Sequence, residues 1–369
     1  MLWRKNRLCR TIDIGPGKRC SNDEVRHMQL GVYSFGNGQQ PDGKLVATGR
    51  AITNLLEAIQ LADKVGLDFF GVGEHHTEYF PASSPTTILA AAAATTKNIT
   101  LSSAVSVLST DDPVRVYQQF ATANIISGGR TEIIAGRGSS IESFPLFGYD
   151  LNDYDELYAE KLELLLHINA NEYVTWKGKF RSALHDAVIV PRSENPLNIW
   201  LATGGNPESS VRAAALGLPI AYAIIGGQMS RFVPLVNLYR RAAEQYGMAK
   251  KDVKVAIASP GYIAENAQVA KDSFWQAWNT VMKTMAEVRG FAPPSRAHFN
   301  SEASGDGALF AGSPEEIATR IINLHKKIHH SRHFFQMDTA LPHEDFLHAI
   351  ELLGTKVAPL VREAVRDDS

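Results

Sequence analysis

The feature that most constrains the fold is a repeated alternation of short β-rich runs and amphipathic helical stretches, which begins at Met28. Strands are predicted over residues 28–35, 67–72, 99–108, 131–135, 197–202, 220–225, 253–263 and 333–337. The intervening stretches carry apolar residues three and four positions apart, as helices packed on a sheet do. Eight such units over about 340 residues are typical of an α/β fold, the (β/α)8 TIM barrel with insertions.

The alternative arrangement is an open, doubly wound sheet that binds a dinucleotide. Gly36 and Gly38 follow the first strand, but they do not form a GxGxxG pattern and no helix begins directly after them. The glycine pattern therefore favours the barrel. Two insertions are predicted: a hairpin over residues 172–180 and an irregular stretch over residues 290–307, which is a candidate active-site lid.

Several polar residues are predicted to begin helices rather than to carry chemistry. Asp111 or Asp112 would cap the helix after the third strand, and Asn206 would cap the helix after the fifth. Ser313 would cap a later helix, with Glu316 completing a capping box.

Composition excludes several classes of function. The chain has 44% hydrophobic and 21% charged residues and a net charge of −2, which gives no footprint for nucleic acid. No apolar run is long enough to span a bilayer. Cys9 and Cys20 are the only cysteines, so a disulfide framework is not expected and a reducing cytoplasm is the predicted compartment.

The first 27 residues differ from the rest, because they are basic and lack any strand or helix pattern. They also lack the apolar centre of a secretory signal. We interpret residues 1–27 as a leader that is an expression tag, an over-extended start or a disordered arm. Residues 28–369 are predicted to form a single barrel domain.

Active sites of TIM barrels lie at the carboxyl ends of the strands, so the residues directly after each strand are the first candidates. Glu74, His75 and His76 come after the second strand. Histidine there can exchange a proton near neutral pH, but adjacent side chains face opposite ways, so at most one is expected to point into the pocket. Ser103 and Ala104, in the third strand, are small enough for a flat ring to approach the sheet.

Anion-binding groups come after the fourth and fifth strands. Arg137 lies between two glycines and can bind an anion through two parallel hydrogen bonds. The turn Thr203–Gly205 precedes a helix start, whose free N–H groups and positive dipole end favour a phosphate. Together these features predict a planar, phosphorylated cofactor. No metal ligands are assigned, because the adjacent histidines cannot both face one side of a strand.

An ordered set of segments resembles the bacterial luciferase-like flavin-dependent monooxygenases. The segments are GVGEHH, LSSAVSVLSTDDPVRVYQQFA, ISGGRTEIIAGRGS, LATGGNPES, FAGSPEEIATRI and the stretch that begins FFQMDTALPHEDF. The resemblance covers nearly the whole chain from Met28 onward.

The resemblance implies a barrel that binds FMN at its mouth and uses reduced flavin and O₂ to oxidise a small organic substrate. Glu74 and His75 match the family's Glu-His pair and are both predicted to be catalytic, with His75 as the histidine near the flavin. Ser103 and Ala104 match a pair that carries a non-prolyl cis peptide beneath the ring. Arg137 matches the arginine that binds the FMN phosphate. The turn Thr203–Gly205 and Ser209 fall where the family binds the same phosphate.

The resemblance also implies a homodimer, and the missing dinucleotide motif suggests that a separate flavin reductase supplies reduced FMN. Two departures argue against an aldehyde substrate and light emission: Ser140 replaces a tyrosine near the flavin, and residues 290–307 do not match the luciferase lid. Alternatives are an F420-dependent oxidoreductase on the same barrel, a metal-dependent hydrolase and a non-catalytic flavin-binding relative.

Overall fold

A closed ring of parallel strands forms the centre of the molecule. A computed structural model of the chain describes residues 28–138 and 141–366, apart from the side chains of residues 288 and 289. The strands are β1 (Gln29–Ser34), β2 (Phe69–Val72), β3 (Thr100–Ser103), β4 (Ser106–Val107), β5 (Thr131–Gly136), β6 (Tyr173–Trp176), β7 (Leu184–Val188), β8 (Asn198–Thr203), β9 (Ile220–Ala223), β10 (Val255–Ile263), β11 (Phe310–Gly312) and β12 (Arg332–Gln336). The order β1-β2-β3-β5-β8-β9-β10-β12 closes where β12 pairs with β1. This confirms the predicted TIM barrel, and the open sheet is excluded.

Helices pack around the ring in the described part of the chain. They are α1 (Thr48–Lys64), α2 (Pro85–Ala93), α3 (Pro113–Ser127), α4 (Ser143–Phe147), α5 (Tyr154–Ala170), α6 (Pro207–Ala215), α7 (Val233–Gln245), α8 (Ala267–Arg289), α9 (Arg296–Glu302), α10 (Pro314–Ile328), α11 (His343–Leu352) and α12 (Ala358–Arg366). A π-helical turn, Leu353–Val357, joins the last two. No described helix is both long and apolar enough to cross a membrane. The predicted leader, residues 1–27, lies outside the described residues.

The insertions differ from prediction in extent. The predicted hairpin is present, but it extends beyond residues 172–180, because β6 pairs with β7, which ends at Val188. Residues 290–307 are not irregular throughout, since they contain α9. The predicted third strand is divided into β3 and β4, and β11 had not been predicted.

Because successive side chains of a strand point to opposite faces, the hydrophobic core has two layers. One face of each strand points into the barrel, where Tyr33, Phe69, Ile134, Trp200 and Phe334 pack together. The other face packs against the helices in a second, larger cluster. Because both faces are buried, the strands read as nearly continuous apolar runs.

A buried ion pair crosses the inside of the barrel. The Arg332 guanidinium donates to the Glu132 carboxylate, and the exposed fractions of the two side chains are 3% and 5%. Trp200 Nε1 lies 3.3 Å from Glu132 Oε2. The guanidinium carbon of Arg332 lies 4.5 Å from the ring centre of Phe69 and 4.6 Å from that of Trp200. Arg332 also donates to Gln29, so the pair joins β5 and β12 to the start of β1.

The capping predictions hold in most cases. Asp112 caps α3 by accepting from the Val114 and Arg115 amides, whereas Asp111 instead accepts from the Asp112 amide. Asn206 caps α6 and Ser313 caps α10. The capping box at Ser313 is not formed, because the carboxylate of Glu316 pairs with Lys271.

Candidate active site

The carboxyl ends of β2, β4, β5 and β8 meet at one rim of the barrel, because the strands are parallel and adjacent. His75, Arg137 and the Thr203–Gly205 turn lie directly after three of these strands. The tertiary structure therefore brings the predicted side chains to the same end of the molecule.

The His75 ring is held from three sides. Its Nδ1 lies 2.8 Å from Glu142 Oε1, and its ring meets Phe35 edge-on at 4.5 Å and Phe80 at 5.3 Å. The imidazole is 14% exposed. A carboxylate at Nδ1 favours the tautomer that carries its proton there, which leaves Nε2 free to accept a proton. His75 is thus oriented as a proton-transfer group would need to be.

Glu142, from the loop between β5 and α4, was missed by the sequence analysis. Burial raises the pKa of its carboxyl group, but the hydrogen bonds from His75 and from the backbone outweigh burial and hold the pKa below its usual value. Its position soon after a strand end was the available signal, but nothing in the sequence paired it with a histidine 67 residues away.

Both carboxylate oxygens of Glu74 already have hydrogen-bond partners within the protein. Its Oε2 accepts from the Val107 amide at 2.9 Å, and its Oε1 lies 3.1 Å from His76 Nε2. The two adjacent histidines therefore contact different carboxylates, as opposite-facing side chains should. Through these contacts Glu74 ties the end of β2 to β4.

The small pair in the third strand is placed differently from expectation. The non-prolyl cis peptide lies between Ala104 and Val105, one residue later than the Ser103–Ala104 pair suggested. The Ser103 hydroxyl donates to the Ile134 carbonyl at 3.2 Å and accepts from the Ile134 amide at 3.1 Å. Ser103 therefore joins β3 to β5 through its side chain. Ala104 lines the inside of the barrel.

Arg137 carries the positive charge of the rim. Its Nη1 lies 2.6 Å from Asp155 Oδ1, and its guanidinium carbon lies 5.5 Å from the centre of the Tyr154 ring. The arginine side chain is 26% exposed, and that of Asp155 is 73% exposed. An anion arriving from solvent would compete with Asp155 for this guanidinium.

One face of α5 supports the end of β5. Tyr154 donates to the Gly138 carbonyl at 2.6 Å, and Tyr158 donates to the Ala135 carbonyl at 3.2 Å. Lys161 donates to the Ser109 carbonyl at 2.7 Å. Burial lowers the pKa of Lys161 to about 8, although nearby acidic groups oppose the shift.

The turn after β8 has more internal hydrogen bonds than predicted. The Thr203 hydroxyl accepts from the Gly205 and Asn206 amides at 3.2 Å each. The amides of Glu208 and Ser209 donate to the side chain and the carbonyl of Asn206. These N–H groups thus already have acceptors, contrary to the expectation that they are free. Gly204 faces open space, where a side-chain carbon would touch nothing.

Two cationic side chains act on the same buried tyrosine of α5. Arg137 from the end of β5 and Arg212 from α6 both act electrostatically on the buried Tyr158 hydroxyl, whose pKa burial raises. Arg212 was not predicted as a site residue, because it lies a full turn inside a helix.

Backbone hydrogen bonds and side-chain packing both attach the candidate lid, residues 290–307, to the rest of the protein. The Gly227 amide donates to Glu302 at 2.7 Å, and the Ala308 amide donates to the Gly227 carbonyl at 2.9 Å. Phe299 of α9 packs between Trp275 and Trp278. Residues 290–307 are therefore docked on α8 and on the loop after β9.

An open groove of about 440 Å³ lies beside the rim. It is formed by the loop after β1, by Tyr79 and by residues Thr280, Lys283, Thr284 and Glu287 of α8. Within residues 28–138 and 141–366, no three His, Cys, Asp or Glu side chains come together as a metal site would require.

Comparisons with known proteins agree with this architecture. The family model described as luciferase-like monooxygenase matches residues 28–330. The monooxygenase RslO1 from Streptomyces bottropensis superposes with a TM-score of 0.80 at 24% identity, over 90% of this chain and 99% of that one. The oxygenating constituent of 3,6-diketocamphane monooxygenase from Pseudomonas putida, in complex with FMN, gives 0.71 at 18% identity, over 90% and 98%.

Sequence relatives include a protein that uses a different cofactor. An F420-dependent glucose-6-phosphate dehydrogenase from Beutenbergia cavernae is 33% identical over 174 residues, which cover 44% of this chain and 50% of that protein. The chain spans 58–63% of the length of the first curated relatives that it matches.

Proposed function

The chain belongs to the luciferase-like monooxygenase family, and on that premise we propose that it is an FMN-dependent monooxygenase that oxidises a small organic substrate. The observation that carries the proposal is that His75, oriented by Glu142, and the partly exposed Arg137 lie on the same rim of the barrel.

The donor set at the rim fits a phosphorylated flavin. Arg137 would bind the phosphate through two parallel hydrogen bonds once it leaves Asp155. Because the amides of Gly205, Asn206, Glu208 and Ser209 already have acceptors, the guanidinium would supply most of the attraction, with Gly204 allowing close approach. Reduced FMN would supply the electrons that activate O₂.

The protein's own residues would manage protons and water. His75 would give or accept a proton at Nε2, while Glu142 keeps the ring oriented. Phe35 and Phe80 pack around His75 and exclude water from one side of it. Glu74 would contribute by holding β4 in place, so we assign it a positioning role.

The second candidate is an F420-dependent oxidoreductase, which the 33% identity to the Beutenbergia cavernae dehydrogenase favours. The FMN-bound Pseudomonas putida structure supports the first candidate through its fold alone. Purified protein titrated with FMN, reduced FMN and F420 separates the two. Reduced FMN should bind, and O₂ uptake should depend on an organic substrate. Binding of F420 together with substrate oxidation in the absence of O₂ would reject the FMN proposal.

His75→Ala tests the proton-transfer role. Turnover should fall by about 10²-fold or more, whereas the Kd for FMN should change little, since His75 is assigned no contact with the phosphate. His185→Ala, which removes an exposed histidine of the hairpin, is the control and should leave both unchanged. A His75→Ala enzyme with normal turnover contradicts the assigned role.

The homodimer, the separate flavin reductase and the cytoplasmic location remain predictions. Sedimentation would test the first, and turnover with chemically reduced FMN in place of a reductase would test the second.

A further inference from the structure

A small cavity lies behind the barrel wall, between the end of β1, helix α1 and helix α11. About 20 Å³ of it is open to the centre of a water-sized sphere, which is room for one water or one ion. Oxygen-bearing side chains are frequent in its lining: Ser34, Asn37, Gln40, Asn54 and Asp338.

Two acceptor atoms at this cavity have no hydrogen-bond partner among the described residues. Asp338 is 3% exposed; its Oδ2 accepts from the Ser34 hydroxyl, but its Oδ1 has no donor. Asn54 Oδ1 is likewise buried without a donor. Buried acceptors left unpaired are costly, so two in one small cavity indicate a missing occupant.

The charge of the cavity is also uncompensated. Among the described residues, its lining contains no Lys or Arg. The lining also includes His343, whose Nε2 lies 3.0 Å from Glu57 Oε2. A carboxylate that is buried without a cationic side chain beside it needs another positive partner when it is ionised.

We propose that this cavity binds one monovalent metal cation, Na⁺ or K⁺, with Asp338 Oδ1 and Asn54 Oδ1 as ligands. Hard cations prefer oxygen ligands, and a single positive charge neutralises the single carboxylate. A divalent ion would leave one positive charge without an acidic partner, because Asp338 is the one carboxylate among the described residues of the lining. Since Ser34 ends β1 and Asp338 follows β12, the ion would fix the place where the barrel closes.

The test is the Tm of the full chain at pH 7.5 in NaCl, KCl or tetramethylammonium chloride at equal ionic strength. A cation bound only by the folded state stabilises it, so NaCl or KCl should raise the Tm by about 1–3 °C over the organic salt. Anomalous scattering from Rb⁺ or Tl⁺ soaked into crystals should place the ion in the cavity.

Asp338→Asn keeps the shape of the side chain and should abolish the difference between the salts. Asp42→Asn is the matched control, because Asp42 lies on the loop after β1 with its carboxylate exposed and paired with Lys44; it should retain the difference. Equal Tm values in all three salts, which would mean that the occupant is water, overturn the proposal. So does a salt response that persists in Asp338→Asn.

Discussion

At the scale of single residues, His75 and Arg137 each contact an acidic side chain at the rim, and the two contacts differ in kind. Glu142 orients His75 and is itself partly buried, whereas Asp155 holds Arg137 at the surface. The first contact fixes the orientation of the imidazole. The second occupies the group that a phosphate would need.

Asp155→Asn should therefore strengthen binding of FMN. Removing the competing carboxylate frees the Arg137 guanidinium, and an exposed ion pair is worth at most about 1 kcal/mol, so the Kd should fall about two- to five-fold. Fluorescence quenching of FMN measures this change.

The control for that experiment is Glu156→Gln, which removes the same charge from the same first turn of α5. Its carboxylate pairs instead with Lys179 at 2.7 Å. If both variants bind FMN equally well, the effect is long-range electrostatics and the Arg137–Asp155 competition is refuted.

At the scale of elements, side chains on one face of helix α5 hold the backbone at the ends of the neighbouring strands. Tyr154, Tyr158 and Lys161 recur three and four residues apart, so they share one helix face and reach three carbonyls around Arg137. On the inside of the barrel, the Glu132–Arg332 pair holds β5 against β12.

Glu132→Gln should destabilise the protein by about 3–5 kcal/mol, because it leaves Arg332 charged and buried without its partner. Urea denaturation measures the loss. Replacing both residues, Glu132→Leu with Arg332→Met, should cost less than the single change, since no unpaired charge remains.

Glu265→Gln removes an exposed pair with Lys356 and serves as the comparison; its effect should stay within about 1 kcal/mol. A double variant at positions 132 and 332 that is less stable than Glu132→Gln would show that the pair acts through packing rather than through charge.

At the scale of the whole molecule, a buried pair of histidines near the barrel closure predicts acid lability. Burial, with Arg320 nearby, lowers the pKa of His333 to about 3, and burial lowers that of His330 well below its usual value. His333 also lies 2.9 Å from Ser259 and 3.3 Å from His330. Both rings are therefore neutral in the folded protein.

The unfolded chain takes up protons at these histidines below about pH 6.5, whereas the folded chain does not, so stability should fall as the pH drops from 6.5 towards 3. The raised pKa of Asp338 has the opposite effect on stability between about pH 6 and 4, because its carboxyl group binds a proton more readily in the folded protein than in the unfolded chain. The effect of this one carboxyl group is smaller than that of the two histidines. The urea midpoint should thus be lower at pH 5.5 than at pH 7.5.

His333→Gln removes one of the two groups and should reduce this pH dependence, while His348→Gln, at an exposed position, should not. A urea midpoint that stays constant between pH 7.5 and 5.5 in the parent protein would contradict the argument.

The sequence by itself determined the barrel, because strand and helix periodicities are local properties that repeat eight times. It also located His75 and Arg137, since parallel strands must present their carboxyl ends at one rim. Only the tertiary structure decided the partners: Glu142 for His75, Asp155 for Arg137 and Arg332 for Glu132. It also decided that Ser103 and Thr203 bond to the backbone. Partners 18 to 200 residues apart are set by strand order and helix packing, and no local pattern of the chain encodes those distances.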